Sequence, residues 1–123
     1  LAWLKKQQLK IGNYQVQQSD VRQLTKNIKT NSIDVIVTEP YLGPQRGRLD
    51  IKKTIIELSS LYESALLEMA KVLSAQGRIV MVWPIIKNQF LTVNFPDFLK
   101  IASYVYSRPQ QKIKRQIVVL QKK

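Results

Sequence analysis

Asn31-Ser32-Ile33-Asp34-Val35-Ile36-Val37-Thr38-Glu39-Pro40-Tyr41-Leu42-Gly43-Pro44 is the stretch that decides the fold. Ile33, Val35, Ile36 and Val37 make a short β-branched run broken only by Asp34. Such a run predicts a strand covered on both faces. It stops at Pro40 and Pro44, which lack backbone donors, with Gly43 free to take a positive φ. An apolar strand that breaks into a rigid turn bearing a hydroxyl, a carboxylate and an aromatic ring has the form of a ligand-binding edge in an open α/β sheet.

Downstream of the turn, Gln45-Arg46-Gly47-Arg48 is a basic link, and Asp50 is a natural N-cap. Ile51, Ile55, Leu58, Leu61, Tyr62, Ala65, Leu66, Met69, Val72 and Leu73 recur in steps of three and four. This spacing predicts a long amphipathic helix from Ile51 to about Ala75, with Gly77 as its stop. Arg78 to Trp83 predicts a second buried strand, ended by Pro84. Asp97 to Ala102 reads as a short helix after Pro96, and Ser103 to Tyr106 as a strand. Ser107 to Lys112 is a loose basic connection, and Lys114 to Gln121 predicts the last strand.

Upstream, Leu1 to Gln8 has the pattern of the last turns of an amphipathic helix, with Gly12-Asn13 as its stop. Tyr14 to Gln18 alternates as a strand does, and Val21 to Leu24 is a short helical turn that Ser19 or Asp20 can cap.

Composition bounds the functional classes. The 123 residues suffice for one compact domain, and 45% of them are hydrophobic, enough to bury a core. Lys plus Arg number 20 against 8 Asp plus Glu, a net +12, which favours a polyanion such as nucleic acid, or an anionic membrane surface, with solubility alone as the plainer alternative. The absence of Cys and His excludes disulfides, the common zinc sites and His-based nucleophiles. No apolar run approaches the ~20 residues of a membrane span, and no signal-peptide pattern is seen; for so basic a chain a cytoplasmic location is the expectation.

Ser19-Asp20-Val21-Arg22, then Asp34 to Tyr41, a long helix, Gly77, a strand and a terminal hairpin resemble the second half of a Rossmann-like, S-adenosylmethionine-dependent class I methyltransferase. Thr38-Glu39-Pro40-Tyr41-Leu42-Gly43 is similar to the D/N/S-P-P-Y/F signature of enzymes that methylate exocyclic amines. Within that group it looks most like the RNA methylase branch acting on the guanine 2-amino group of tRNA. The resemblance implies an α/β fold whose sheet, in the family order 3-2-1-4-5-7-6, ends in an antiparallel hairpin. Neither the glycine-rich cofactor loop nor the ribose-binding acid of the family is found in these residues. The expectation is therefore a truncated domain: residues 1–123 as the C-terminal part of one catalytic domain, lacking its first two strands, with Leu1 inside the preceding helix.

The resemblance also assigns roles. An exocyclic amine is a poor nucleophile because its lone pair is delocalised into the ring. Two acceptors that take its N–H bonds favour a pyramidal nitrogen and aim the lone pair at the sulfonium methyl. These would be the Thr38 hydroxyl and the Glu39 carbonyl. Pro40 would fix the loop and Tyr41 would stack on an extruded base. Asp20, Val21 and Thr38 would bind the cofactor, the first two at its adenine, and Arg46 and Arg48 would hold RNA phosphates. No metal is implied. Two departures stand out: Thr replaces the acidic, amide or serine residue, and Glu39 replaces a proline, so its carboxylate is itself a candidate acceptor or base. Asp20 serves equally well as a helix cap, Arg46 and Arg48 as a solvated loop, and Trp83 as core. The alternatives are a non-catalytic basic module that binds RNA or a partner, and amine methylation of DNA or of protein glutamine.

Overall fold

A computed structural model describes residues 12–44, 50–110 and 113–123. The expected helix at Leu1 to Gln8, and Arg46 and Arg48, lie outside the described residues. A 3₁₀ helix, Val21–Lys26, leads into strand β1, Ile33–Thr38. Helix α1, Ile51–Val72, runs directly into β2, Leu73–Ile85, followed by β3, Phe98–Tyr106, and β4, Lys114–Lys122. The sheet order is β1-β2-β4-β3, with β1 and β2 parallel and β4 antiparallel to both its neighbours. This matches the 4-5-7-6 end of the family order.

The sheet buries one face against α1. The periodic residues Leu58, Tyr62, Ala65, Leu66 and Met69 meet Ile79, Met81 and Trp83 of β2 and Val118 and Leu120 of β4. Each fully buried large side chain of this kind contributes about 1.5–3 kcal/mol. Phe98 closes the core from β3. Both helical caps follow the sequence: Asp50 accepts from the Lys53 amide at 3.1 Å, and Asp20 from the Arg22 amide at 2.8 Å. No described helix is long and apolar enough to cross a membrane.

Five expectations are corrected. Val37, 75% exposed, and Val35 are solvent-facing, because among the described residues a helix covers only the other face of β1. Tyr14 to Gln18 is not a strand: its residues are exposed, and alternation without a neighbouring edge forms no ladder. The helix ends at Val72, before Ala75 and Gly77. The amides of Asn31 and Ser32 take the last carbonyls, of Lys71 and Val72, at 3.0 and 2.9 Å, and turn the chain into β2. Pro84 does not end β2. Beyond Met81 the strand has left β1 behind, so a residue without an N–H is tolerated there. Asp97 to Ala102 is mostly strand, because cross-strand pairing with β4, from Phe98 opposite Lys122 onwards, overrides a short ambiguous pattern.

Candidate functional site

The turn that follows Thr38 lies at the carboxyl end of β1, where β2 continues past it. α1 fastens it. Thr54, Leu58 and Tyr62, each four residues apart, form one ridge of the helix and all are buried. The Tyr62 hydroxyl donates to the Tyr41 carbonyl at 2.6 Å. Burial, and then the negative charge of Glu39, push the Tyr62 hydroxyl above its usual range, so it stays a proton donor. Leu42 is buried in the core. Gly43 has φ +105°, and a Cβ there would stand 3.4 Å from Leu58 Cδ1 and from Thr54 Cγ2. A glycine is required by the backbone conformation more than by lack of room.

Held from beneath, the turn presents its other groups outward. Tyr41 is 61% exposed even though its carbonyl is tied down. Thr38 and Pro40 are half-buried and Glu39 is exposed. Arg115, at the start of β4, brings its Nε to 3.6 Å from Glu39 Oε2. That separation makes an ion pair rather than a hydrogen bond. The four residues assigned to the acceptor site, Thr38 to Tyr41, thus share one rigid bend.

Asp20 and Val21 sit on a different element. Asp20 Oδ1 accepts from Arg22 N and Nε, and Oδ2 from Arg22 Nη2 at 2.8 Å. These bonds hold the Asp20 carboxyl down to about 2. The helix-capping role is therefore realised. Val21 packs against the core, and the same 3₁₀ helix is pinned to α1 where Thr25 donates its amide and hydroxyl to Glu68 at 3.1 and 2.7 Å. The Asp20 hydrogen bonds go to Arg22 and not to the turn. Trp83 is buried and faces Phe95 with ring centroids 6.1 Å apart, as core packing predicts.

Among solved structures, the chain is similar to TrmN from Thermus thermophilus, at 20% identity and a TM-score of 0.62. The match covers 87% of this chain and 28% of that one. It is also similar to a candidate DNA modification methylase from Thermus thermophilus, complexed with S-adenosyl-L-methionine, at 16% identity and a TM-score of 0.56. There the match covers 84% of this chain and 53% of the other. This chain has a methyltransferase fold. It spans about a quarter of TrmN and about half of the DNA methylase. No family model and no curated protein matches it.

Within this methyltransferase fold, two residues that sequence reasoning missed support the bend. Tyr62 counted as one more apolar residue of the helix stripe, yet a buried tyrosine must find a partner for its hydroxyl, which is a usable signal. Arg115 gave no signal, since its neighbour Glu39 is 76 residues away in sequence and is reached across β2 only once the strands are in register.

Proposed function

We propose that the protein acts as a methyltransferase that moves a methyl group from S-adenosylmethionine to an exocyclic amine of a nucleobase, with the guanine 2-amino group of tRNA as the favoured acceptor. The observation that carries this reading is the bend itself: a fixed backbone, tied by Tyr62 and Gly43 to α1, beneath an exposed aromatic ring and two acceptor groups. The net charge of +12 favours a nucleic acid over a small neutral substrate.

The residues present fit part of the cofactor. Three hydrogen bonds occupy the ionised Asp20 carboxylate, leaving about one of its roughly four acceptor positions for an amino group such as that of adenine. When bound, the cofactor supplies an electrophilic sulfonium methyl group. The Thr38 hydroxyl and the Glu39 carbonyl accept the two N–H bonds of the amine and direct its lone pair. Tyr41 stacks on the extruded base, and the cost of unstacking it is a few kcal/mol. The exposed Glu39 carboxylate would take up the proton that the amine loses on alkylation and pass it to solvent. Rate would come from positioning and fixed dipoles, without a covalent enzyme intermediate.

The test supplies the full-length protein with tritium-labelled S-adenosylmethionine and, in parallel, bulk tRNA, DNA and protein acceptors. Label is expected in tRNA and is expected to vanish when Thr38→Ala and Glu39→Ala are combined. Full activity in that variant would overturn the acceptor assignment. Label in DNA alone would transfer the reading to the DNA methylases, and label in none of the three would remove catalysis.

A further inference from the structure

The corner of the sheet beyond the bend carries a second feature. β2 runs four residues past Met81, the partner of Thr38, and there it is flanked by the start of β4, with the end of β3 beyond. Immediately after β2, Ile86 and Gln89 exchange backbone hydrogen bonds of 3.0 and 2.9 Å around Lys87 and Asn88. With φ of 49° and 65°, these two residues form a type I′ turn. Lys114 Nζ donates to Asn88 Oδ1 at 3.2 Å, which joins the first residue of β4 to that turn. Next to it, Arg115 lies opposite Pro84 on one side and Tyr106 on the other. The Arg108 guanidinium covers the Tyr106 ring at 5.7 Å from its centroid and donates to its hydroxyl.

Lys87, Arg108 and Lys114 are all exposed. Of the chain's eight carboxylates, Glu39 alone is bridged to this corner among the described residues, through Arg115. The corner is therefore a concentration of positive charge interleaved with an aromatic ring, and it is continuous with the bend through the Glu39–Arg115 ion pair. Three inter-strand steps, about 14 Å at the usual spacing, separate the bend from β3. Exposed guanidinium and ammonium groups gathered at the adjoining ends of β2, β4 and β3, beside the Tyr106 ring, suit the phosphates of a polynucleotide strand.

The geometry points to Lys87, Arg108 and Lys114 as an RNA phosphate track that carries the acceptor strand away from the bend, with Arg115 as the positioning residue that joins track and bend. This assignment rests on the function proposed above. It deepens it by naming the surface along which the acceptor lies.

The test measures tRNA binding by the full-length protein over a series of salt concentrations, together with methyl-transfer kinetics. The combined variant Lys87→Ala, Arg108→Ala, Lys114→Ala is compared with Lys29→Ala, Lys100→Ala, Lys123→Ala, whose lysines lie at the opposite end of the sheet. Losing three phosphate contacts should reduce the slope of log K against log salt by about 2. KM for tRNA should rise more than tenfold with kcat unchanged, while the distant triple variant should keep the parental slope. Arg108→Lys alone, which keeps the charge, should keep the slope as well. If the parent methylates tRNA but the corner variant binds with the parental slope, the track is wrong and the catalytic reading survives. If both triple variants lose slope equally, the charge acts without a defined track and the inference fails. If the corner variant loses slope although the parent labels no acceptor, the track stands as an RNA surface and the catalytic reading falls. Weakened binding of duplex DNA with tRNA binding unchanged would overturn the choice of RNA.

Discussion

Replacing Tyr62 by phenylalanine removes one oxygen from the centre of the tether. The ring is fully buried, so its packing with Leu58, Leu66 and the β2 face persists and no cavity forms. What is lost is the 2.6 Å bond to the Tyr41 carbonyl. A neutral hydrogen bond is worth about 0.5–1.5 kcal/mol net. The exposure of Tyr41 gives water a route to the freed carbonyl, which keeps the cost in that range rather than at the greater penalty of a dry orphan. Unfolding entropy of about 2.1 cal/mol/K per residue makes 1 kcal/mol equivalent to about 4 °C for a cooperative unit of this size. Thermal unfolding should thus fall by about 2–6 °C. The effect on methyl transfer should be larger, because the same bond sets the height of the Glu39 carbonyl and the Tyr41 ring. A displacement of about 1 Å costs up to about a hundredfold in rate. We expect kcat of the full-length protein to drop tenfold or more while cofactor affinity holds. A variant that loses the expected stability yet keeps parental kcat would show that the tether does not position the bend, and the role assigned to Tyr62 would be wrong.

Other outcomes follow from the same geometry. Gly43→Ala forces a side chain into a backbone conformation with φ +105° and should cost about 1–3 kcal/mol in urea denaturation. A Cβ at Gly77 would lie 2.9 Å from Leu73 Cδ2 and 3.0 Å from the Ser74 carbonyl oxygen. The side chain can rotate but the backbone oxygen cannot, so Gly77→Ala should destabilise by about 1–3 kcal/mol and loosen the α1–β2 junction, again read by urea denaturation. Hydrogen bonds from Thr25, first the hydroxyl and then the amide, with help from Lys71, hold Glu68 down to about 2. Because its folded value is depressed, Glu68 contributes stability that is complete above its unfolded value near 4.5 and is lost as pH falls towards 2. Glu68→Gln should flatten stability against pH in that acid window, measured by denaturation at stepped pH, and leave the neutral region without a new slope.

Much of this architecture is legible in the chain because it is local. The β-branched run at Ile33 to Val37, the caps Asp20 and Asp50, and the helical stripe from Ile51 onwards each express a period or a cap that their own neighbourhood dictates. The bend is legible for the same reason, since Pro40, Gly43 and Pro44 limit their own dihedrals. Three-dimensional packing alone decided the rest. Whether Asp97 to Ala102 becomes helix or strand depends on Phe98 meeting Lys122, and where α1 stops depends on which amides reach Lys71 and Val72. The residues that secure and charge the site, Tyr62 beneath Tyr41 and Arg115 beside Glu39, come from distant parts of the sequence. Periodicity reports which way a side chain faces, but the partner it finds is set by strand register and helix docking, which no single stretch contains.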